Sequence, residues 1–175
     1  GHITLVDFDL VDLSNLQRQI VHSNTDVGKL KVESAKARLE TLNPEIKISC
    51  ISEKMSQEKL NTKLDNVDLL IDCSDNFETR YALNELALKQ KIPLVSGAAI
   101  GLEGQITAFD FRQTETPCYR CLYPKGNEEE LSCSESGILG PIVGIIGSMQ
   151  ALEAIKLLTG FGENLSGNGG MGKHG

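Results

Sequence analysis

The stretch Val67-Asp-Leu-Leu-Ile-Asp-Cys73, followed at once by Ser74-Asp-Asn76, decides how the chain is read. A short, nearly continuous apolar run that ends in polar residues predicts a strand buried on both faces, opening at its carboxyl end onto a polar turn. The same alternation recurs on either side of it. Upstream, residues 3–6 form a short apolar run that ends in the acidic Asp7-Phe-Asp9, and residues 46–51 alternate like a strand. Between them, residues 30–42 have helical period, with Leu30, Ala35, Leu39 and Leu42 near one face and Pro44 beyond the end. Residues 57–64 read as a short helix behind Ser56. Downstream, a helix is predicted over 77–89, strands over 92–96 and 104–111, and a long helix rich in small residues over 142–158. Strands alternating with helices predict an α/β fold, a Rossmann-like, mainly parallel sheet with flanking helices. In such sheets ligands bind beyond the carboxyl ends of the strands, so Asp7 and the run from Asp72 to Asn76 are expected on one crevice.

Composition narrows the function classes. A chain of 175 residues that is 40% apolar can bury one good core. Its net charge of −7 and its 17 scattered Lys and Arg residues give no electrostatic reason to expect nucleic acid or an anionic membrane as partner. Residues 138–158 are the most apolar segment, but glycines, Pro141, Glu153 and Lys156 interrupt them, which makes a poor membrane span. No secretory leader is visible. Five cysteines, at 50, 73, 118, 121 and 133, form an odd and sparse set that suits reduced thiols in the cytoplasm.

Four groups of residues could carry chemistry. Asp7 at a strand end is placed to accept both ribose hydroxyls of a nucleotide, and Arg18, in Ser14-Asn-Leu-Gln-Arg-Gln19, could meet phosphate in a planar fork. A solvated loop with a helix cap explains the same residues. Lys29 and Lys31 at a helix start could reach phosphate, or simply wet that helix. Asp72, Asp75 and Asn76 after a buried strand could supply hard oxygen ligands to Mg²⁺ beside a triphosphate, whereas Asp72 or Ser74 could instead cap the next helix. Cys118-Tyr-Arg-Cys121 has the spacing of half a zinc site. Cys50 and Cys73 read as strand residues in the core.

Taken in order, these segments resemble the ubiquitin-activating-enzyme superfamily. They are Val6-Asp-Phe-Asp9, residues 14–19, residues 28–35 with Lys31, Asp72-Cys-Ser-Asp-Asn76, Pro93-Leu-Val-Ser-Gly-Ala-Ala99, Glu103-Gly-Gln-Ile-Thr107, Cys118-Tyr-Arg-Cys121 and Gly147-Ser-Met-Gln-Ala-Leu-Glu153. The sulfur-carrier branch, the adenylyltransferases of molybdopterin and thiamin biosynthesis, is the most similar, and the likeness runs from residue 1 to about residue 166. The resemblance implies an ATP-binding adenylyltransferase domain over 1–166. In it Asp7 would hold the ribose; Ser14, Asn15, Leu16, Gln17, Arg18 and Lys31 would contact the nucleotide and its phosphates; and Asp75 with Asn76 would sit at the Mg²⁺ and adenylate site. Arg18, Lys31 and Asp75 are thereby expected to be catalytic. The implied substrates are ATP and the C-terminal Gly-Gly carboxylate of a ubiquitin-like sulfur-carrier protein, and the intact protein is expected to be a homodimer. Cys133 stands where several relatives carry a thioester- or persulfide-forming cysteine, with a bystander thiol as the other reading. Cys118 and Cys121 resemble half of a structural four-cysteine zinc site. The competing functions are a noncatalytic carrier-binding scaffold and a nicotinamide- or flavin-binding Rossmann oxidoreductase.

The chain departs from the pattern at both ends. A first strand and glycine-rich loop are expected roughly 20 residues before the ribose carboxylate, and only six residues precede Asp7. The second cysteine pair is expected beyond residue 175, and the 175 residues by themselves are expected to be inactive. Gly167-Asn-Gly-Gly-Met-Gly172 matches a dinucleotide-loop spacing but lacks the strand and helix that would give it meaning, so residues 167–175 are expected to be a flexible tail.

Overall fold

The computed structural model describes residues 1–113, 116–124 and 137–167, and it divides into two compact units, Gly1–Ser56 and Gln57–Gly175. In the first unit, strand β1 (His2–Val6) lies parallel to β2 (Lys47–Ile51), with helix α1 (Lys31–Leu42) as the crossover. Val32 and Ser34 are the buried residues of α1, whereas Leu42 is 64% exposed. Leu30, Ala35 and Leu39 of the predicted face are half-buried, so Leu42 alone departs from it. The Cys50 thiol ties β2 to the helix by donating to the Val32 carbonyl at 3.3 Å.

In the second unit, helix α2 (Gln57–Lys63) leads to strand β3 (Leu70–Asp72), helix α3 (Phe77–Gln90), strands β4 (Pro93–Ile100) and β5 (Glu103–Asp110), the single turn α4 (Tyr119–Leu122) and the long helix α5 (Gly140–Thr159). The sheet order is β3-β4-β5. β3 and β4 are parallel, as the helix between them requires, but β4 and β5 are antiparallel over their full length, from Pro93↔Asp110 to Ile100↔Glu103. A two-residue turn, Gly101-Leu102, joins them, with Gly101 at φ +55° supplying the left-handed residue such turns need. The sheet is thus mixed, with a hairpin at one side.

Two expectations about burial fail. Leu70 and Asp72 are buried in β3, but Ile71 is 47% exposed, so this strand is covered on one face only. Cys73 lies just past β3 and is exposed as a residue, although its sulfur turns inward toward Gln150 Oε1 at 3.5 Å. Helix α5 is long and apolar enough to cross a membrane by length and composition, yet it lies against β4 and β5 and carries buried polar residues. Gln150 donates from Nε2 to the Asp72 carbonyl at 2.8 Å. Glu153 takes the Lys156 ammonium at 2.6 Å and the Leu165 N–H at 2.8 Å. The core beneath α5 is Val95, Ala108 and Leu157. Gly97 and Gly104 bring the helix close: a Cβ at Gly97 would collide with the Gln150 amide, and one at Gly104 with Ile146.

Candidate active site

In the first unit the polar group forms where β1 ends. The Asp7 N–H extends the ladder by one bond, to the Ile51 carbonyl at 3.2 Å, and the chain then turns because Asp7 Oδ1 accepts the Asp9 N–H at 2.8 Å. Residues 9–11 run beside residues 28–31: Val11 N–H donates to the Lys29 carbonyl at 2.8 Å, Gly28 N–H to the Val11 carbonyl at 2.9 Å and Lys31 N–H to the Asp9 carbonyl at 3.0 Å. Gly28, at φ +86°, makes the turn into this pairing. That local ribbon carries Lys31 to the strand end. Its ammonium lies 2.9 Å from Asp9 Oδ2 and 4.0 Å from Asp7 Oδ2. Asp7 and Lys31, far apart in sequence, thus lie at the same strand end, and Asp9 stands beside them, a residue that the sequence reading left out of the site.

The loop between them is built largely from its own side chains. Asp12 caps the 3₁₀ turn Leu13–Asn15: its Oδ1 accepts the Ser14 N–H at 2.8 Å and hydroxyl at 2.6 Å, while Asn15 Oδ1 accepts the Asp12 N–H at 3.2 Å. These bonds to Ser14 hold the Asp12 carboxyl below its ordinary value. Arg18 folds back, donating to the Ser14 carbonyl at 3.1 Å. Here the capped-loop reading of Ser14 and Asn15 describes what their polar atoms do; Leu16 follows as the C-cap of the turn, with Gln17 between it and Arg18. Lys29 is paired with Asp26 at 2.9 Å.

The second unit presents a turn held from below. Asp72, 1% exposed, accepts the Ser74 N–H and hydroxyl on Oδ1 at 2.9 and 2.6 Å, and the Ser96 hydroxyl on Oδ2 at 2.7 Å. Both oxygens are occupied and buried, so Asp72 is a structural acceptor and not the metal ligand the sequence allowed. The helix cap belongs to neither Asp72 nor Ser74: Asn76 Oδ1 accepts the Thr79 N–H at 2.9 Å, and α3 begins at the next residue. Between these anchors Asp75 is exposed, its Oδ1 accepting from Asn76 Nδ2 at 3.3 Å. An exposed carboxylate beside an N-cap suits a Mg²⁺ ion that takes its other ligands from water and phosphate. Arg80 closes the turn from the other side, donating from Nη2 and Nε to the Ser74 carbonyl at 2.7 and 3.3 Å and from Nη1 to the Tyr119 hydroxyl at 3.3 Å.

Tyr119 belongs to the cysteine turn. Its N–H donates to Asn84 Oδ1 at 2.9 Å, and its ring packs edge-on to Tyr81 and Phe109. Cys118 stands at the N-cap of α4 and Cys121 within it, their sulfurs 3.0 Å apart. Burial raises the Cys118 thiol, and the hydrogen bond from Cys118 lowers Cys121. Among the described residues no third His, Cys, Asp or Glu joins them, so these residues do not make a closed four-ligand zinc site. Cys133, with Glu128 to Glu130 and Glu135 around it, and the tail over 168–175 lie outside the described residues.

A model of the ThiF family matches residues 1–169. The chain is 48% identical to the molybdopterin-synthase adenylyltransferase of Escherichia coli over 167 residues, 95% of this chain and 67% of that protein. It is 44% identical to an adenylyltransferase and sulfurtransferase of Meyerozyma guilliermondii over 94% of this chain and 39% of the relative. Among solved structures, E. coli MccB with ATP superposes with a TM-score of 0.80 at 25% identity, covering 95% of this chain and 51% of MccB. The chain thus spans about half the length of the solved structure it matches.

Proposed function

The chain belongs to the ThiF family, and on that premise we propose that its protein adenylylates the C-terminal Gly-Gly carboxylate of a ubiquitin-like sulfur-carrier protein at the expense of ATP. The observation that carries this reading is the 48% identity, over 95% of the chain, to a molybdopterin-synthase adenylyltransferase. The geometry described above supports it. A carrier carboxylate oxygen attacks the α-phosphorus of ATP, the bond from that phosphorus to the α,β-bridging oxygen breaks, and pyrophosphate leaves with that electron pair. The product is an acyl-adenylate. No enzyme nucleophile takes part, so the protein contributes position and charge.

In this reading Asp7 receives the ribose hydroxyls on Oδ2, since Oδ1 is engaged by the Asp9 N–H. Lys31 exchanges Asp9 for a phosphate oxygen, and Arg18 releases the Ser14 carbonyl for another. Asp75 would hold Mg²⁺, which when bound offsets charge building on the phosphates. Asn76 orders the turn that carries Asp75. The residues 14–17 shape the loop that presents Arg18. Cys118 and Cys121 would supply two thiolates to a structural zinc site whose other ligands come from outside the described residues. The molybdopterin branch is favoured over thiamin by the names of three curated relatives at 46–48% identity. A homodimer acting in the cytoplasm completes the proposal.

The test is carrier-dependent exchange of labelled pyrophosphate into ATP by the protein expressed from its complete gene. Exchange with a molybdopterin-type carrier is expected. A flat signal with both molybdopterin-type and thiamin-type carriers would sink the reading.

A further inference from the structure

We propose that Arg80 is a positioning residue that aims the Asp75 carboxylate through Ser74, an inference that rests on the adenylyl-transfer reading of Asp75. Arg80 sits in the first turn of α3 and is 7% exposed. Among the described residues it has no carboxylate partner. Its fork instead grips the Ser74 carbonyl with two donors and the Tyr119 hydroxyl with a third. A buried guanidinium spent on one main-chain carbonyl is costly unless that carbonyl needs fixing.

Ser74 is held at all three of its polar atoms. Its N–H and hydroxyl go to Asp72 Oδ1, and its carbonyl goes to Arg80. Asp72 cannot shift to accommodate a moving Ser74, because Ser96 binds its other oxygen and Gln150 binds its carbonyl. One residue further along, Asp75 has Ser74 fixed before it and Asn76 fixed after it by the cap to Thr79. An exposed side chain is thereby carried on a peptide that cannot rotate at either end. A carboxylate that must meet a metal and phosphates gains from such restraint, since a displacement of about 1 Å can cost roughly 100-fold in rate. Asp72 and Arg80, opposite in charge and both buried, do not bond each other; Ser74 stands between them and takes one hand from each.

The protein from its complete gene is assayed by carrier-dependent pyrophosphate exchange across a Mg²⁺ titration, with melting temperature measured on the same samples. Arg80→Met is expected to lower kcat by about 10- to 100-fold and to raise the Mg²⁺ concentration for half-maximal rate several-fold. Arg80→Lys, which keeps one donor, recovers part of both. Tyr119→Phe, which leaves the grip on Ser74 intact, stays within about threefold of the unsubstituted protein. An active unsubstituted protein, with Arg80→Met folded and unchanged in rate and Mg²⁺ dependence, overturns this inference alone; so does a Tyr119→Phe loss equal to that of Arg80→Met. Should Arg80→Met fail to fold, Arg80→Lys carries the test, and an unshifted Mg²⁺ dependence there overturns the proposal. A flat signal from the unsubstituted protein overturns the adenylyl-transfer reading and this inference with it.

Discussion

Lys31 is bound twice by Asp9, through its backbone N–H to the Asp9 carbonyl at 3.0 Å and through its ammonium to Asp9 Oδ2 at 2.9 Å. The first bond fixes where the lysine starts and the second where it rests. On the proposed role, only the second would have to break for the ammonium to turn to phosphate. Since Asp9 is about half exposed, that exchange is cheap. Lys31→Met is therefore expected to lower pyrophosphate exchange by about 10²-fold, whereas Asp9→Asn, which keeps the backbone bond, stays within about fivefold. Equal losses from the two substitutions would show that the ion pair itself, and not the free ammonium, is the working form.

Asp110 gives a prediction in pH. Arg112 donates to both its oxygens at 2.7 Å, and that hydrogen bond, acting against burial, holds the carboxyl below its ordinary 3.8. A depressed pKa stabilises the fold above the unfolded-state value and loses that contribution as pH falls through the folded-state value. Asp110→Asn should thus cost roughly 1–3 kcal/mol at neutral pH, with the difference closing as pH falls through the depressed folded-state value. Denaturant melts at several pH values measure it; a gap that stays constant into acid would show that the ionised form contributes nothing.

Helix α3 ends on Lys91 at φ +55°, ψ +47°, a left-handed conformation that a lysine occupies at a cost of about 1 kcal/mol. Glycine carries no such cost at this position. Lys91→Gly is expected to raise the melting temperature by about 2–4 °C. A lower value would mean that the lysine stem contributes packing worth more than the strain.

Asn76 separates structure from chemistry at the same turn. Removing its cap in Asn76→Ala should cost about 1 kcal/mol, and Asn76→Ser, also a good cap, should restore the melting temperature. If exchange activity returns with Ser as well, the residue acts by holding the turn. Activity that stays low with the helix restored would assign the amide a contact with the nucleotide.

The order of strands and helices was legible because buried strands and amphipathic or small-residue helices write their periods into the chain. The direction of β5 was missed, although Gly101-Leu102 between two apolar runs is a hairpin signal that could have been read. Asp7, Asp75 and Asn76 were singled out from their positions after strands, Lys31 from its place at a helix start, and all four from the family resemblance. Arg80 was not, because a charged residue in the first turn of a helix looks like any solvated one, and neither was Asp9, which reads as one more acidic residue of the loop after β1. What distinguishes Arg80 is that its fork turns back across the helix start to Ser74 and also meets the Tyr119 hydroxyl of a distant segment, contacts that the local sequence does not announce. Ile71 shows the converse limit: an apolar strand residue signals that a cover is wanted, without saying that one is present within the same unit.

Gly97 touches no proposed substrate, yet the missing side chain there admits the Gln150 amide, which holds the Asp72 carbonyl at 2.8 Å and reaches the Val95 carbonyl at 3.4 Å. The absence of one methyl group is thus a keyhole, and Gln150 is the key that locks the end of β3. In a saturation scan this bland position should prove about as intolerant as a reacting residue, and even alanine, elsewhere the mildest of changes, would be felt at a turn it never meets.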